Sequence, residues 1–548
     1  MVFDLATLLK DRRGDAFELH TSHMNHQLAG VLETLGFDRS YVSGSGCYLY
    51  DTEGNRYLDL LSGFGVHALG RNHPAVTQAL HEALALDLPN MVQIDCALLP
   101  ALLAERLLPY AHRGINRVFF CNSGTEAVEA AIKFARCATK RPRILYCSHA
   151  FHGLTTGSLA LNGGAEFRRG FGRLLPDTTE VPFGDADALR RELRHRDVAA
   201  FVFEPIQGKG VYVAPDSYWD AVATLCRQFK TLMVADEVQT GLGRTGRFFC
   251  HQHWGLEPDI ITVSKALSGG LVPVGATLCT DRVFKKVFSS LDRAMVHSST
   301  FGRNQLAMVA GLATLSVLET EQLVEHAAAA GATLMEKLQV LVDRYEVFHE
   351  VRGKGLMIGL VFGKPQSPSL RRRWRATERL RAGLSTQAIV VPLFHRHRIL
   401  TQVAADNVNI IKLLPPLIAG IEEINAFVEA LDDVLGDLER SPRSLLEVGG
   451  RLARGALRTR LGALRRAIRP PRTDRPDAAT TRGFLGPRHE GTAIERAGRS
   501  SDRLAASEGA TGRFADEPAE RQPDPRPPHQ PSIDRSAISP EARPAAAP

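Results

Sequence analysis

Residues 258–270 read PDIITVSKALSGG. Pro258 interrupts whatever precedes it. Ile260, Ile261, Thr262 and Val263 form a short run rich in β-branched residues, and Ser264, Lys265 and the pair Gly269-Gly270 follow. A run of this kind between a proline and paired glycines reads as a buried strand that ends in a loop. Lysine is almost never fully buried without a partner. Lys265 therefore either projects into solvent from a strand end or is held by a specific neighbour.

Working outward, similar apolar runs recur: RVFFCNSG (117–124), RILYCSHA (143–150), AAFVFEPI (199–206), TLMVADEV (231–238) and PVGATLCT (273–280). Between them lie stretches of helical periodicity. This alternation predicts an α/β domain over residues 75–330 with a largely parallel sheet. Residues 1–74 read as a helical arm and a hairpin, GCYLYDTEGNRYLDLLSG (46–63), belonging to a smaller α+β domain completed by residues 331–440.

The chain has 548 residues and a formal net charge of +7. That charge is unevenly placed. Residues 441–548 carry 20 arginines and 13 acids, which leaves 47 basic and 47 acidic side chains in residues 1–440. The body is neutral and gives no reason to expect nucleic acid binding. Residues 441–469 read as a basic amphipathic helix, with Leu457, Leu461, Leu464 and Ile468 on one stripe between arginines. Residues 470–548 hold 13 prolines and few large apolar side chains, a composition expected to be disordered. The eight cysteines show no C-x-x-C pair and no zinc spacing, so no metal is expected and the thiols suit a reducing compartment. With no apolar run of membrane length and no signal-peptide order at the N-terminus, the expected location is cytoplasmic. The basic helix adds an expected peripheral contact with the inner membrane surface.

Two further stretches bear on Lys265. In CNSGTEAVEAAIKFAR (121–136), Ser123, Gly124 and Thr125 stand where a strand turns into a helix. Free N–H groups and the positive end of the helix dipole make that turn suited to phosphate. It also reads simply as a capping turn. In VADEVQTGLGRTG (234–246), another strand ends in Asp236 and Glu237. Ligands of open α/β sheets bind beyond the carboxyl ends of strands, so Asp236 and Lys265 can share a crevice. A phosphate cradle, a carboxylate and an amine together suit pyridoxal 5′-phosphate. The amine forms a Schiff base with the aldehyde, and the carboxylate keeps the ring nitrogen protonated.

With these motifs in order, the chain resembles the class III, fold type I, pyridoxal-phosphate aminotransferases of acetylornithine, ornithine and putrescine type. The resemblance also rests on SHAFHG, FEPIQG, HSSTFGRNQLA and VRGKGLMIG. It implies a large α/β domain with a mostly parallel seven-stranded sheet and helices on both faces, plus a smaller α+β domain, with Lys265 as the Schiff-base lysine and Asp236 as the partner of the ring nitrogen. It implies cofactor contacts from Ser123, Gly124, Thr125, Phe151 (stacking), His152, Glu204, Val238 and Gln239. Thr300 would reach the cofactor of the neighbouring subunit in a homodimer.

Some positions depart from the pattern. Leu154 follows FHG where several family members carry a carboxylate-binding arginine, and Lys209 and Lys412 replace an acid–arginine pair. These three are the candidate substrate contacts. Together with the basic extension they resemble the hopanoid-biosynthesis branch, which aminates the terminal aldehyde of a large lipid. The expected partners are an amino donor such as glutamate and an aldehyde or keto acceptor. Acetylornithine, ornithine, diamine or ω-amino-acid transamination is the alternative within the family. An aminomutase or racemase, or a binding protein acting through the basic tail, are the alternatives outside it.

Overall fold

In the computed structural model, residues 3–440 and residue 450 are described, apart from residues 93, 381 and 405–408. The readings made above for 441–469 and 470–548 lie outside the described residues, save residue 450.

The β-branched and aromatic runs become the strands of one seven-stranded sheet. In chain order they are β1 (Ile115–Cys121), β2 (Arg143–Cys147), β3 (Thr178–Val181), β4 (Val198–Phe203), β5 (Leu232–Asp236), β6 (Ile260–Val263) and β7 (Gly275–Thr280). Across the sheet the order is β1-β7-β6-β5-β4-β2-β3. All neighbours are parallel except β7, which runs antiparallel to both β6 and β1. Every residue of β4, β5 and β6 is buried. Such strands carry continuous apolar runs because helices cover both faces.

The helix Gly124–Thr139 buries Val128, Ile132 and Phe134 against one face. Asp216–Phe229 buries Trp219, Val222 and Leu225 on the other side of the core. β3 has no counterpart among the runs read from the sequence. It is the edge strand, TTEV, with only Val181 buried, so its polar pattern gives little sign of a strand.

Near the N-terminus, Tyr48–Asp51 and Arg56–Asp59 form the hairpin. Asp51 Oδ1 shapes its turn by accepting the N–H groups of Glu53 at 2.9 Å and Asn55 at 2.8 Å. Ile399–Leu400 adds to the hairpin in parallel. A second antiparallel sheet joins Phe348–Lys354, Met357–Phe362, Ile410–Leu413 and Gln402–Val403. The described residues fall within one compact unit, and one hydrophobic core runs from Leu69 and Leu267 to Leu334 and Leu435. All eight cysteines are free: six are buried, Cys137 is half-buried and Cys96 is exposed. Among the described residues, no single helix is long and apolar enough to cross a membrane.

Candidate active site

The chain leaves the carboxyl ends of β1, β2, β4, β5 and β6 on one side of the sheet. Ser123, Phe151, Glu204, Asp236 and Lys265 stand at or just beyond those ends. Asp236 and Thr262 are register partners on β5 and β6, and the Thr262 hydroxyl donates to Asp236 Oδ1 at 3.1 Å. The Val238 N–H donates to the same oxygen at 3.1 Å. The other oxygen, Oδ2, lies 2.7 Å from His152 Nδ1. A carboxylate only accepts, so Nδ1 is the protonated nitrogen of that pair. Burial opposes charge on His152, but the Asp236 bond and the nearby Glu204 outweigh it and hold the imidazole above its usual range.

Glu204 is buried and accepts the N–H of Phe151 at 2.9 Å and that of Gly208 at 2.7 Å. Burial is the main cause that raises its carboxyl above the ordinary range, and Asp236 adds to it. Glu237, the second acid of the strand end, turns away. It accepts from the Cys250 and His251 N–H groups and from Thr240, and it meets His251 Nδ1 at 2.9 Å.

Lys265 sits half-buried at the first position of a short 3-10 turn, Lys265–Ser268, with φ 39°. A non-glycine residue in the left-handed region stores roughly 1–3 kcal/mol of strain, which accumulates at functional sites. Burial lowers the pKa of its amine, and Asp236 and Glu204 pull it partly back.

At the start of the helix Gly124–Thr139, the Ser123 hydroxyl accepts the Glu126 N–H at 3.3 Å as the N-cap, which leaves its own O–H to donate. The Thr125 hydroxyl lies 2.7 Å from both Thr155 Oγ1 and Ser158 Oγ. A Cβ on Gly124 would stand 2.8 Å from the Val238 side chain, and one on Gly153 (φ +124°) would stand 2.4 Å from Thr125 Oγ1. The cradle thus closes around two positions that need glycine. Gln239 donates to the Phe64 carbonyl at 3.0 Å. Its Oε1 and His152 Nε2 are both buried with no partner among the described residues. A strained amine, a buried carboxylate, a helix N-terminus and unspent polar atoms fit pyridoxal phosphate.

The three candidate substrate contacts diverge. Leu154, one residue past Gly153, is 56% exposed. Lys209 donates to the Gly163 carbonyl at 2.8 Å and to Glu166. Lys412 donates to the Gly208 carbonyl at 2.7 Å and lies 5.6 Å from the centre of the Phe64 ring. Burial lowers the Lys412 pKa to about 8, with Lys265 adding to the effect. Thr300 is exposed in a cleft with Met91, Asp95 and Arg303. Among the described residues no hydrogen bond links it to Lys265 or Asp236.

Thr262, Asn162, Phe64 and Arg244 were not foreseen. Thr262, beside Lys265, is the polar member of an apolar strand and could have been singled out. Asn162 accepts the His152 N–H at 2.7 Å from ten positions along the chain, which no local pattern announces. Ser62, Gly63, Phe64 and Gly65 all have positive φ, a backbone path imposed by packing. Arg244 is fully buried and donates to the Leu356 and Pro415 carbonyls.

This fold and site define a pyridoxal-phosphate-dependent transaminase of fold type I. The match to the family described as aminotransferase class-III spans residues 34–435, and the chain belongs to that family. It is 36% identical over 458 residues to the aminotransferase PigE of Serratia sp. (strain ATCC 39006), covering 78% of this chain and 54% of that protein. It is 37% identical to the acetylornithine aminotransferase of Gloeobacter violaceus, over 77% of this chain and 97% of the relative. Among solved structures, an ornithine aminotransferase from Toxoplasma gondii, crystallised with partial occupancy of the cofactor, superposes with a TM-score of 0.69. It is 25% identical and matched over 80% of this chain and 99% of its own.

Proposed function

We propose that this aminotransferase acts at the terminal aldehyde of a large, mainly apolar acceptor, of which a hopanoid side chain is an example, with an amino acid such as glutamate as donor. When bound, the cofactor supplies an electron sink for the charge left when the substrate carbon loses a proton. Lys265 is the group that takes and returns that proton, and a lowered pKa leaves more of its amine free to do so. Asp236, backed by His152 and Thr262, stabilises positive charge at the ring nitrogen. The N–H groups of Gly124 and Thr125 hold the phosphate.

One observation carries the substrate reading. Leu154 is exposed at the position after FHG where an arginine would answer an α-carboxylate. Lys412 is the cation placed beside Lys265, and a lysine lacks the fork that grips a carboxylate at two points. We further propose that the enzyme works as a homodimer in the cytoplasm. In the chain around Thr300, Leu291, Met295 and Phe301 are exposed apolar side chains, which suits contact with a second subunit.

A panel of acceptors tests the reading, each with the same amino donor. Long-chain aldehydes should be aminated with a kcat/KM at least tenfold above 2-oxo acids and N-acetylglutamate semialdehyde. The opposite order would assign the enzyme to the acetylornithine type.

A further inference from the structure

Lys209 occupies a position that the recess around Lys265 does not explain. Its side chain is 5% exposed. Its ammonium donates to the Gly163 carbonyl at 2.8 Å, pairs with Glu166, and lies 5.0 Å from the centre of the Phe167 ring. Three members of one loop are therefore gathered on one buried cation. A buried ammonium is tolerated only when its charge and its protons are answered. The order of this loop and the burial of Lys209 thus depend on each other.

The loop presses on the turn that carries Phe151 and His152. The Gly163 N–H donates to the Ala150 carbonyl at 3.0 Å. A Cβ on Gly163 would stand 2.3 Å from the His149 nitrogen, so the two backbones pass in contact. Asn162, just before it, accepts the His152 N–H and donates to the Gly153 carbonyl at 2.9 Å. Phe167 meets Phe151 edge-on, with ring centres 5.4 Å apart and planes at 70°. On the other side, Gly208, adjacent to Lys209, donates to Glu204, which also accepts the Phe151 N–H. Phe151 is thus held through its backbone by Glu204 and through its ring by Phe167; Lys209 lies against Phe167 and follows Gly208, which binds Glu204.

We propose that Lys209 is a positioning residue for the cofactor: with Glu166 it straps residues 163–173 across Phe151, and Phe167 thereby fixes the ring that stacks on the cofactor. The proposal rests on Phe151 being that stacking ring. It accounts for a lysine where an acid would serve a gate, since the ammonium is directed at the loop.

The test uses the holoenzyme. Cofactor release after dilution is followed by visible absorbance and circular dichroism, and amide exchange is followed over residues 148–173. Lys209→Met, Glu166→Gln and Phe167→Ala should each release cofactor on the order of tenfold faster, the loss expected when a charge-assisted contact is removed. Each should also lose visible dichroism and speed exchange over 163–173. Lys209→Arg should retain most of the parent behaviour, and the double variant Lys209→Met/Glu166→Gln should be no worse than Lys209→Met. Glu166 is 40% exposed, so Glu166→Gln gives an answer even if Lys209→Met does not fold. Unchanged release in Glu166→Gln and Phe167→Ala, with Phe151→Leu impaired, overturns the strap alone. Unchanged release in Phe151→Leu removes the stacking reading and the proposal with it. A raised KM for carboxylate substrates in Lys209→Met, without faster release, makes Lys209 a substrate contact and also overturns the proposal.

Discussion

Asp236 accepts from Val238, Thr262 and His152. Asp236→Asn keeps the shape and removes the charge. Turnover should fall by about 10² or more, the scale of a lost electrostatic or acid–base contribution. The His152 imidazole, read by NMR in the apoprotein, should titrate at lower pH than in the parent. A variant with parental turnover would mean that this carboxylate does not face the ring. Glu237 could not substitute for it, because both its oxygens are bound to the Cys250–His251 turn and Thr240. Lys412 supplies a pH dependence. Its folded-state pKa of about 8 lies below the ~10.4 of a free lysine amine. Between these values the unfolded chain binds more protons, so this group adds stability as pH rises from about 8 to 10.4 and costs most below pH 8. Lys412→Met should therefore raise Tm relative to the parent at pH 7, and the gap should narrow by pH 10. A gap that does not change with pH would mean that Lys412 keeps an ordinary amine.

At the scale of elements, the decisive unit is a strand that ends in a turn with positive φ. β6 places Lys265 beside Asp236 of β5, and φ 39° turns the chain into the 3-10 turn so that the amine stays over the sheet end. The helix Gly124–Thr139 offers the N–H groups that Ser123 leaves unspent. Gly124→Ala leaves the helix intact but drives a methyl group to 2.8 Å from Val238. Overpacking of this kind typically costs 1–3 kcal/mol. If Val238 yields toward the ring, the cofactor should bind about tenfold more weakly with little change in Tm. A lower Tm with unchanged cofactor affinity would show the strain relieved elsewhere.

For the molecule as a whole, two groups of exposed apolar residues stand out. The first helices leave Leu5, Leu8, Leu9, Met24 and Leu28 uncovered, and Leu291, Met295 and Phe301 are exposed in the stretch of chain around Thr300, as is Ile94 next to Asp95, which shares a cleft with Thr300. Exposed patches of this extent mark contact surfaces. A second subunit that brings Thr300 to the neighbouring cofactor makes a definite prediction. Lys265→Ala chains and Thr300→Ala chains, mixed under conditions where subunits exchange, should regain activity, because each mixed dimer carries one site with both residues intact. No recovery with proven exchange would confine the site to one chain.

How far this was legible depends on the range of the forces involved. The run IITV, buried on both faces, marks a central strand from its composition alone, and TLMVAD does the same. With strands that regular, the carboxyl ends and the helix start at Ser123 follow from local rules, and Lys265, Asp236 and Gly124 come together as a matter of topology. TTEV was not legible, because an edge strand with one neighbour needs no apolar pattern. Nor could the sequence show that Glu237 faces away from the site, that Phe64 stands on four consecutive residues with positive φ, or that Lys209 is held by Glu166. Burial and pairing of a charge depend on what packs around it from distant parts of the chain. Residue pattern and local backbone preference therefore determined the sheet and the meeting of an amine, a carboxylate and a helix N-terminus at its carboxyl ends, and only tertiary packing decided which charges face that recess and which hold the loops around it.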